Sequence, residues 1–358
     1  MMFGKIQKFW TIKGNERRKI IGVILILGFL YAFPINHIPM RAAAETPAPS
    51  ASSTLPPSPI IPTLEFGSEP LMPIPEWGNP TYEVPLALTA NDHFYFNRPL
   101  SLTTNHKLNV DYRYGYYYPD EDVVHTGIDI TGSRGDAVLA AAPGKVIFAG
   151  YGLLNGANDS EDPYGLAVML RHSFSHEGYT IYTVYAHLDK ISVIKGAWLE
   201  SGDKVGTIGM TGNTSGPHLH FEIRIENSNG DKVQNPELWL APLVGYGVLA
   251  GRIETTYGMM MTTKTLWLKS LESGKTWTLI TYAPKTKQVD DYYRENFAIG
   301  DLPLGEYEIS IYYNGLIYKQ EILIAPGAVN YIKFHGTDGF LTELPENQTS
   351  TSFLIPLQ

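Results

Sequence analysis

The sequence predicts a mainly β protein, built from antiparallel sheet in two folded units, and three observations lead there. The 358 residues include 34 glycines and 23 tyrosines, a composition that favours strands joined by tight turns. Apolar residues recur in short runs, many of them alternating with polar ones as half-buried strands require. Long amphipathic helices are scarce. At roughly 100–200 residues per domain, the length leaves room for two cores and some extensions.

The N-terminus comes first. Lys5, Lys8, Lys13, Arg17, Arg18 and Lys19 stand against Glu16 alone, although the whole chain has a formal charge of -9. The remainder is therefore acidic, which argues against a nucleic-acid partner. Next, Ile20–Ile35 runs for sixteen residues without a charge, between the roughly 20 of a membrane span and the roughly 7–15 of a signal-peptide core. The basic residues ahead of it keep the N-terminus in the cytoplasm and send the rest of the chain out. Arg41–Thr46 (RAAAET) offers a small-residue cleavage site but lies far from the apolar core. The flanks thus favour one N-terminal hydrophobic helix retained as a membrane anchor over a cleaved signal, and both place the rest of the chain outside the cytoplasm. The lack of cysteine removes disulfides and thiolate ligands and is compatible with export.

Residues 1–44 are accordingly read as a basic segment with an anchor or signal. Residues 45–76 form a Pro/Ser-rich linker that could extend on the order of 90 Å in polyproline form. Residues 77–245 hold the first β unit, with strand-like AVLAAA, KVIFAG, LAVMLRH, TIYTVYAHL and HLHFEIRI separated by turn residues. The polar stretch Leu153–Pro163 is expected as an exposed loop. Residues 246–340 hold a second, histidine-poor β unit, a small β-sandwich. There Tyr307, Ile309 and Ile311 share one strand face, Glu306, Glu308 and Ser310 the other, and Asn314-Gly315 signals a hairpin turn. Residues 341–358 read as a loosely ordered tail.

The chemistry gathers in the first unit. In GNTSGPHLHFEI, His218, His220 and Glu222 fall on one face of a strand, with Leu219, Phe221 and Ile223 on the other. The apolar face goes to the core, so the polar face is either a solvated surface or a metal site. In HTGIDI, His125, Gly127 and Asp129 share a face if the segment is a strand, and Gly127 leaves room for a third group to approach. Two histidines and one aspartate make a zinc site with its fourth tetrahedral position open to water. His187, in YAHL, follows a strand-like run and gains meaning only beside the others. Glu222 lies one step beyond the pair and suits solvent or the support of a ligand better than coordination. His93, His106, His172, His176 and His335 fall outside these motifs, with His172 and His176 flanking a turn.

Together YRYGYYYPDEDVVHTGIDI, GDAVLAAAPGKVIFAGYG, TVYAHL, GDKVGTIGMTGNTSGPHLHFEI and NPELWL resemble the lysostaphin-type, or LytM-domain, zinc metallopeptidases over roughly residues 112–240. The resemblance implies an antiparallel fold of barrel-sandwich hybrid style and Zn2+ on His125, Asp129 and His220. It further implies that His187 and His218 act beside the activated water, and that an upstream tyrosine, one of Tyr114, Tyr116, Tyr117 and Tyr118, helps stabilise the oxyanion. The implied substrate is the peptide part of bacterial peptidoglycan, hydrolysed by water activated on the metal. Some relatives have lost their ligands and only activate wall amidases; no such loss occurs here, though a non-catalytic wall-binding or hydrolase-activating role stands as the alternative. Two segments, RGDAVLAAAPGKVIFAG and KGAWLESGDKVGTIG, are similar to biotinyl and lipoyl carriers but lack their modifiable lysine turn. The second unit looks like a carboxypeptidase-regulatory or transthyretin-type β-sandwich.

Overall fold

The computed structural model of the chain describes residues 87, 89, 91–100, 112–118, 123–227, 230–286, 288–342, 344 and 345. All of them belong to one compact unit, Met72–Gln358. The apolar run, the linker and most of the tail lie outside the described residues, and among the described residues no helix is long and apolar enough to cross a membrane.

The strands follow one another as β1 (Ile128–Thr131), β2 (Ala137–Leu139), β3 (Gly144–Gly150), β4 (Ala167–His176), β5 (Tyr179–Ala186), β6 (Leu188–Ile191), β7 (Trp198–Leu199), β8 (Lys204–Ile208), β9 (His218–Asn227) and β10 (Gly230–Gln234). A 3-10 turn at Pro236–Leu238 precedes β11 (Tyr246–Glu254), β12 (Thr265–Ser270), β13 (Thr276–Ile280), β14 (Phe297–Pro303), β15 (Gly305–Tyr313), β16 (Leu316–Ile324), β17 (Val329–His335) and β18 (Phe340–Leu341).

In the first half a seven-stranded sheet has the order β1-β9-β5-β4-β3-β7, with β10 also paired to β9, and β2-β8-β6 form a three-stranded sheet. Every ladder in these two sheets is antiparallel. Strand β9 sets the register, because Leu219, Phe221, Ile223 and Ile225 enter the core from one face. Burying each such side chain is worth about 1.5–3 kcal/mol. A slip by one residue would instead drive His218, His220 and Glu222 into that core, so the register is fixed.

In the second half β14-β11-β17-β18 and β13-β12-β15-β16 form two four-stranded sheets. They enclose a core that includes Leu249, Leu268, Phe297, Ile309 and Phe334, with β11 and β17 paired in parallel. Tyr307, Ile309 and Ile311 point inward as their alternation predicts, and Asn314 takes a positive φ of 46° in the β15–β16 turn. The first sheet is covered on both sides: Val248, Ala250 and Ala298 from its other face belong to the core of the first half. That explains why β11 is buried almost throughout.

His172 and His176 do not flank a turn. Both lie in β4, and the chain reverses after them, where Glu177 and Gly178 have φ of 50° and 81°. Buried His172 lies between Pro143 O, 3.0 Å from Nδ1, and Thr183 Oγ1, 2.9 Å from Nε2. Burial pushes its pKa down from 6.5 to about 4. The unfolded chain therefore binds the proton more readily, and this stabilisation, present above pH 6.5, is lost as pH falls toward 4. Denaturant titrations should show His172→Gln losing on the order of 3 kcal/mol less than the wild type between pH 7 and pH 4. Parallel slopes in the two proteins would contradict the assignment.

Candidate metal centre

Strand pairing assembles the site. Strand β1 meets β9 with Asp129 opposite His220 and Thr131 opposite His218. On the other edge of β9, Ala186 of β5 stands opposite His220, which delivers His187, the next residue, to the same place. Facing Cβ atoms on adjacent strands are about 4.5–5.5 Å apart, so the backbone brings these groups together before any rotamer is chosen. His125 arrives from outside the sheet, because β1 begins at Ile128 and the expected strand over 125–130 is shorter. Gly127 allows the approach: a Cβ there would stand 2.4 Å from Phe221 O and 3.0 Å from His220 Cε1, so only glycine fits so near β9.

The donor atoms converge. His125 Nε2 is 3.1 Å from Asp129 Oδ1 and 3.0 Å from His220 Nδ1, which is itself 3.0 Å from Asp129 Oδ1. All three residues are buried, with ligand atoms within 4.8 Å of one another. The remaining ring nitrogens are committed elsewhere: His125 Nδ1 donates to Arg113 O at 3.1 Å and His220 Nε2 to Glu222 Oε1 at 3.0 Å. Because a carbonyl and a carboxylate only accept, those nitrogens keep a proton when the rings take the neutral, metal-binding form. In that form Nε2 of His125 and Nδ1 of His220 turn lone pairs toward each other and toward the Asp129 carboxylate. Three lone pairs meeting in this way are the donor set that a metal cation satisfies.

The electrostatics agree. Burial opposes charge on His220, yet Asp129 and Glu222 outweigh it and push its pKa up to about 9. Burial also works to raise Asp129, but hydrogen bonds from His125 and His220 override it and hold that carboxyl well below the usual range. The cluster therefore stabilises positive charge at its centre; without a metal that charge is a proton held between the imidazoles and Asp129, and a bound cation would displace it.

Two further imidazoles flank it. The His187 ring centroid lies 4.9 Å from that of His218 and 5.6 Å from that of His220. His187 Nδ1 donates to Thr211 O at 2.8 Å and His218 Nδ1 to Gly216 O at 2.9 Å. Each Nε2 is thus left as a lone pair, that of His218 3.4 Å from Asp129 Oδ2. Burial, then the neighbouring His220 and His218, push His187 down to about 3, and burial likewise lowers His218. Both rings are neutral at pH 7. His187 also holds a φ of 60°, uncommon outside glycine, and its backbone N–H is tied to Tyr164 O at 3.0 Å.

Tyr112, Tyr118, Asp129, His187, Asn213 and His218 are among the residues lining a cleft over the cluster. Of the four tyrosines left open by the sequence, Tyr118 alone lines it, its ring 5.4 Å from that of His125. Tyr114 is buried and donates to Val233 O and Gln288 O, and Tyr116 Oη accepts from Ile280 N. Tyr112, which was outside the sequence set, joins the cleft, its ring 6.5 Å from that of His125.

Glu222 takes the second of the two places the sequence offered, beside His220. It is fully buried rather than near solvent, and accepts from His220 Nε2, Thr126 Oγ1, Tyr164 Oη and Arg224 Nε. Burial works to raise its pKa, but Arg224 and His220 hold it well below the carboxylate range. Tyr164 reaches it from the end of the Leu153–Pro163 loop. The loop tip is exposed at Leu154, but Leu153 and Tyr164 pack on a small cluster that includes Met169, Val184 and Ala186. Buried Asp162 locks it by accepting from the backbone N–H groups of Leu154, Asn155 and Tyr164. The spacing of Glu222 and Arg224 on one strand face was a readable signal; Tyr164 was not. Glu222→Gln keeps the shape but removes the charge that orients His220, and should weaken metal binding about 10–100-fold in a chelator competition. Unchanged affinity would rule out that role.

Fold and site together define the class: an antiparallel β domain carrying a buried His–Asp–His donor set with two neutral imidazoles at its cleft. Residues 123–235 match the family described as Peptidase family M23, and the site-bearing segment is an M23, or LytM-type, domain. Over 113 residues it is 40% identical to the DD-carboxypeptidase/endopeptidase Mpg of Neisseria meningitidis serogroup B, covering 32% of this chain and 22% of that protein. It is 36% identical over 103 residues to the Murein hydrolase activator NlpD of Escherichia coli K12, covering 29% of this chain and 24% of that one. The chain thus spans less than a quarter of the length of these curated relatives. The catalytic domain of the antimicrobial peptidase lysostaphin from Staphylococcus simulans is 27% identical, with 37% of this chain and 90% of that one covered at a TM-score of 0.31.

Proposed function

We propose that the chain is a zinc metalloendopeptidase that hydrolyses peptide bonds of bacterial cell-wall peptidoglycan, with His125, Asp129 and His220 as metal ligands. The observation that carries this is the meeting of two imidazole nitrogens and a carboxylate oxygen in one buried cluster. Zinc suits the set because three N and O ligands leave one tetrahedral position free. When bound, it supplies Lewis acidity that lowers the pKa of water toward about 7 and polarises the scissile carbonyl.

The chain's own residues do the rest. His187 and His218 present Nε2 atoms beside the cluster, that of His218 next to Asp129 Oδ2, so either can take the proton of the attacking water and pass it to the leaving amine. The imidazolium so formed, with the Tyr118 hydroxyl on the same cleft, hydrogen-bonds to the developing oxyanion. Glu222 holds the His220 ring in its tautomer. Residues 77–245 carry this chemistry and residues 246–340 form the second unit. The work is done outside the cytoplasm, with residues 1–44 as a tether or a cleaved signal.

Purified peptidoglycan incubated with metal-loaded protein tests the proposal. New amino groups without new reducing sugars, abolished by a chelator and restored by zinc, are expected; amine release that survives chelation would contradict it. The similarity to the murein hydrolase activator favours a second reading, a non-catalytic activator of other wall hydrolases. Amine release only after a partner hydrolase is added would select that reading.

A further inference from the structure

The segment Tyr112–Tyr118 lies between the metal cluster and the C-terminal sandwich and is tied to both. Toward the cluster, Arg113 O accepts from His125 Nδ1 at 3.1 Å and Tyr116 O from His125 N at 2.8 Å. Tyr112 O accepts from Asp129 N at 3.2 Å, and Gly115 N donates to His125 O at 2.9 Å. Two of the three proposed ligands therefore hang on this strap by their backbone.

Toward the sandwich, Ala283 N donates to Gly115 O at 2.7 Å and Ile280 N to Tyr116 Oη at 2.9 Å. The Tyr114 ring packs edge-on against Tyr282 at 5.4 Å. Arg113 forms a buried ion pair with Glu237, which also accepts from Gly300 N in β14. Tyr282 is itself locked, accepting from Asn235 Nδ2 at 2.7 Å and donating to Glu295 Oε1 at 2.9 Å. Contact with it is tight: at Gly115, with φ of 79°, a Cβ would stand 2.6 Å from Tyr282 Cδ1. The strap belongs to none of the named strands, and beside its pairing of Tyr117 with Val124 these ties help hold it.

We propose that the C-terminal sandwich is a working part of the metal centre: by clamping the strap it fixes His125 and Asp129, and so sets metal affinity. Tyr282 is the positioning residue. The inference rests on the reading of His125, Asp129 and His220 as metal ligands, and it makes the second half more than an appended module. Linkage makes it testable in the wild-type chain, because a clamp that favours metal binding must be favoured by metal in turn.

Amide hydrogen exchange on the full chain, with and without zinc, reads this directly. Zinc should slow exchange at Ile280 and Ala283, on the sandwich side of the clamp, far more than at Leu304 and Gly327, loop amides of the sandwich bonded to Gly245 O and Tyr246 O away from the strap. Metal affinity, measured by chelator competition, should fall about tenfold or more in Tyr282→Leu and Gly115→Ala. It should stay within about threefold of the wild type in Tyr282→Phe, which keeps the ring. A general loss of stability would speed exchange everywhere and would not be rescued at the metal by phenylalanine. Zinc uptake with no selective slowing at Ile280 and Ala283 overturns the proposal alone, and this holds even if a variant fails to fold. A wild-type chain that takes up no zinc overturns the metal reading as well.

Discussion

His125→Ala, Asp129→Ala and His220→Ala should each abolish metal uptake and lower peptidoglycan hydrolysis by at least about a thousandfold, which is about 4 kcal/mol of barrier. Each variant removes one of three potential donor atoms that meet at about 3 Å, and two ligands seldom hold zinc against water. The three should differ in stability. His220→Ala strips one partner from the charged, fully buried Glu222, leaving Thr126, Tyr164 and Arg224 to compensate. Its thermal midpoint should therefore fall further than that of His125→Ala, whose outward nitrogen serves only a backbone carbonyl. Asp129→Asn is the near-isosteric control: it keeps the volume and loses the charge. Retained zinc and retained hydrolysis in any of these variants would remove that residue from the centre.

His187→Asn and His218→Ala should keep the metal and lower kcat by about 10²–10⁴-fold with little change in KM, as expected for groups that move a proton in the transition state. Asparagine is the cleaner replacement at position 187, where φ is 60° and alanine would add backbone strain to the loss of the ring. Zinc content measured beside the kinetics separates the roles. A fall in zinc content matching the fall in kcat would make these residues ligands instead.

The polar face of β9 was legible because strand periodicity is strict: once Leu219, Phe221 and Ile223 go inward, His218, His220 and Glu222 share the other side. Pairing was not legible. That Asp129 faces His220, with Ala186 on the far edge, follows from sheet order, which no local pattern encodes. His125 was the right type at a useful spacing, yet it reaches the cluster from a loop held by close approach at Gly127 and not from the strand expected. The tyrosines show the same limit. Composition offered four of them at one place, and only tertiary packing sends Tyr114 inward, ties Tyr116 to the sandwich and leaves Tyr118 at the cleft. Which of its two offered places Glu222 takes depends in part on Tyr164, 58 residues earlier, whose hydroxyl donates to it.

Zinc titration of the metal-free full chain, with uptake and peptide hydrolysis followed in the same sample, bears most directly on the centre. Activity should rise linearly with added zinc and level off at about one ion per chain, with neither uptake nor activity in His220→Ala. Hydrolysis at full rate before any zinc is added, or tight uptake of one zinc by His220→Ala, would contradict the His125–Asp129–His220 site.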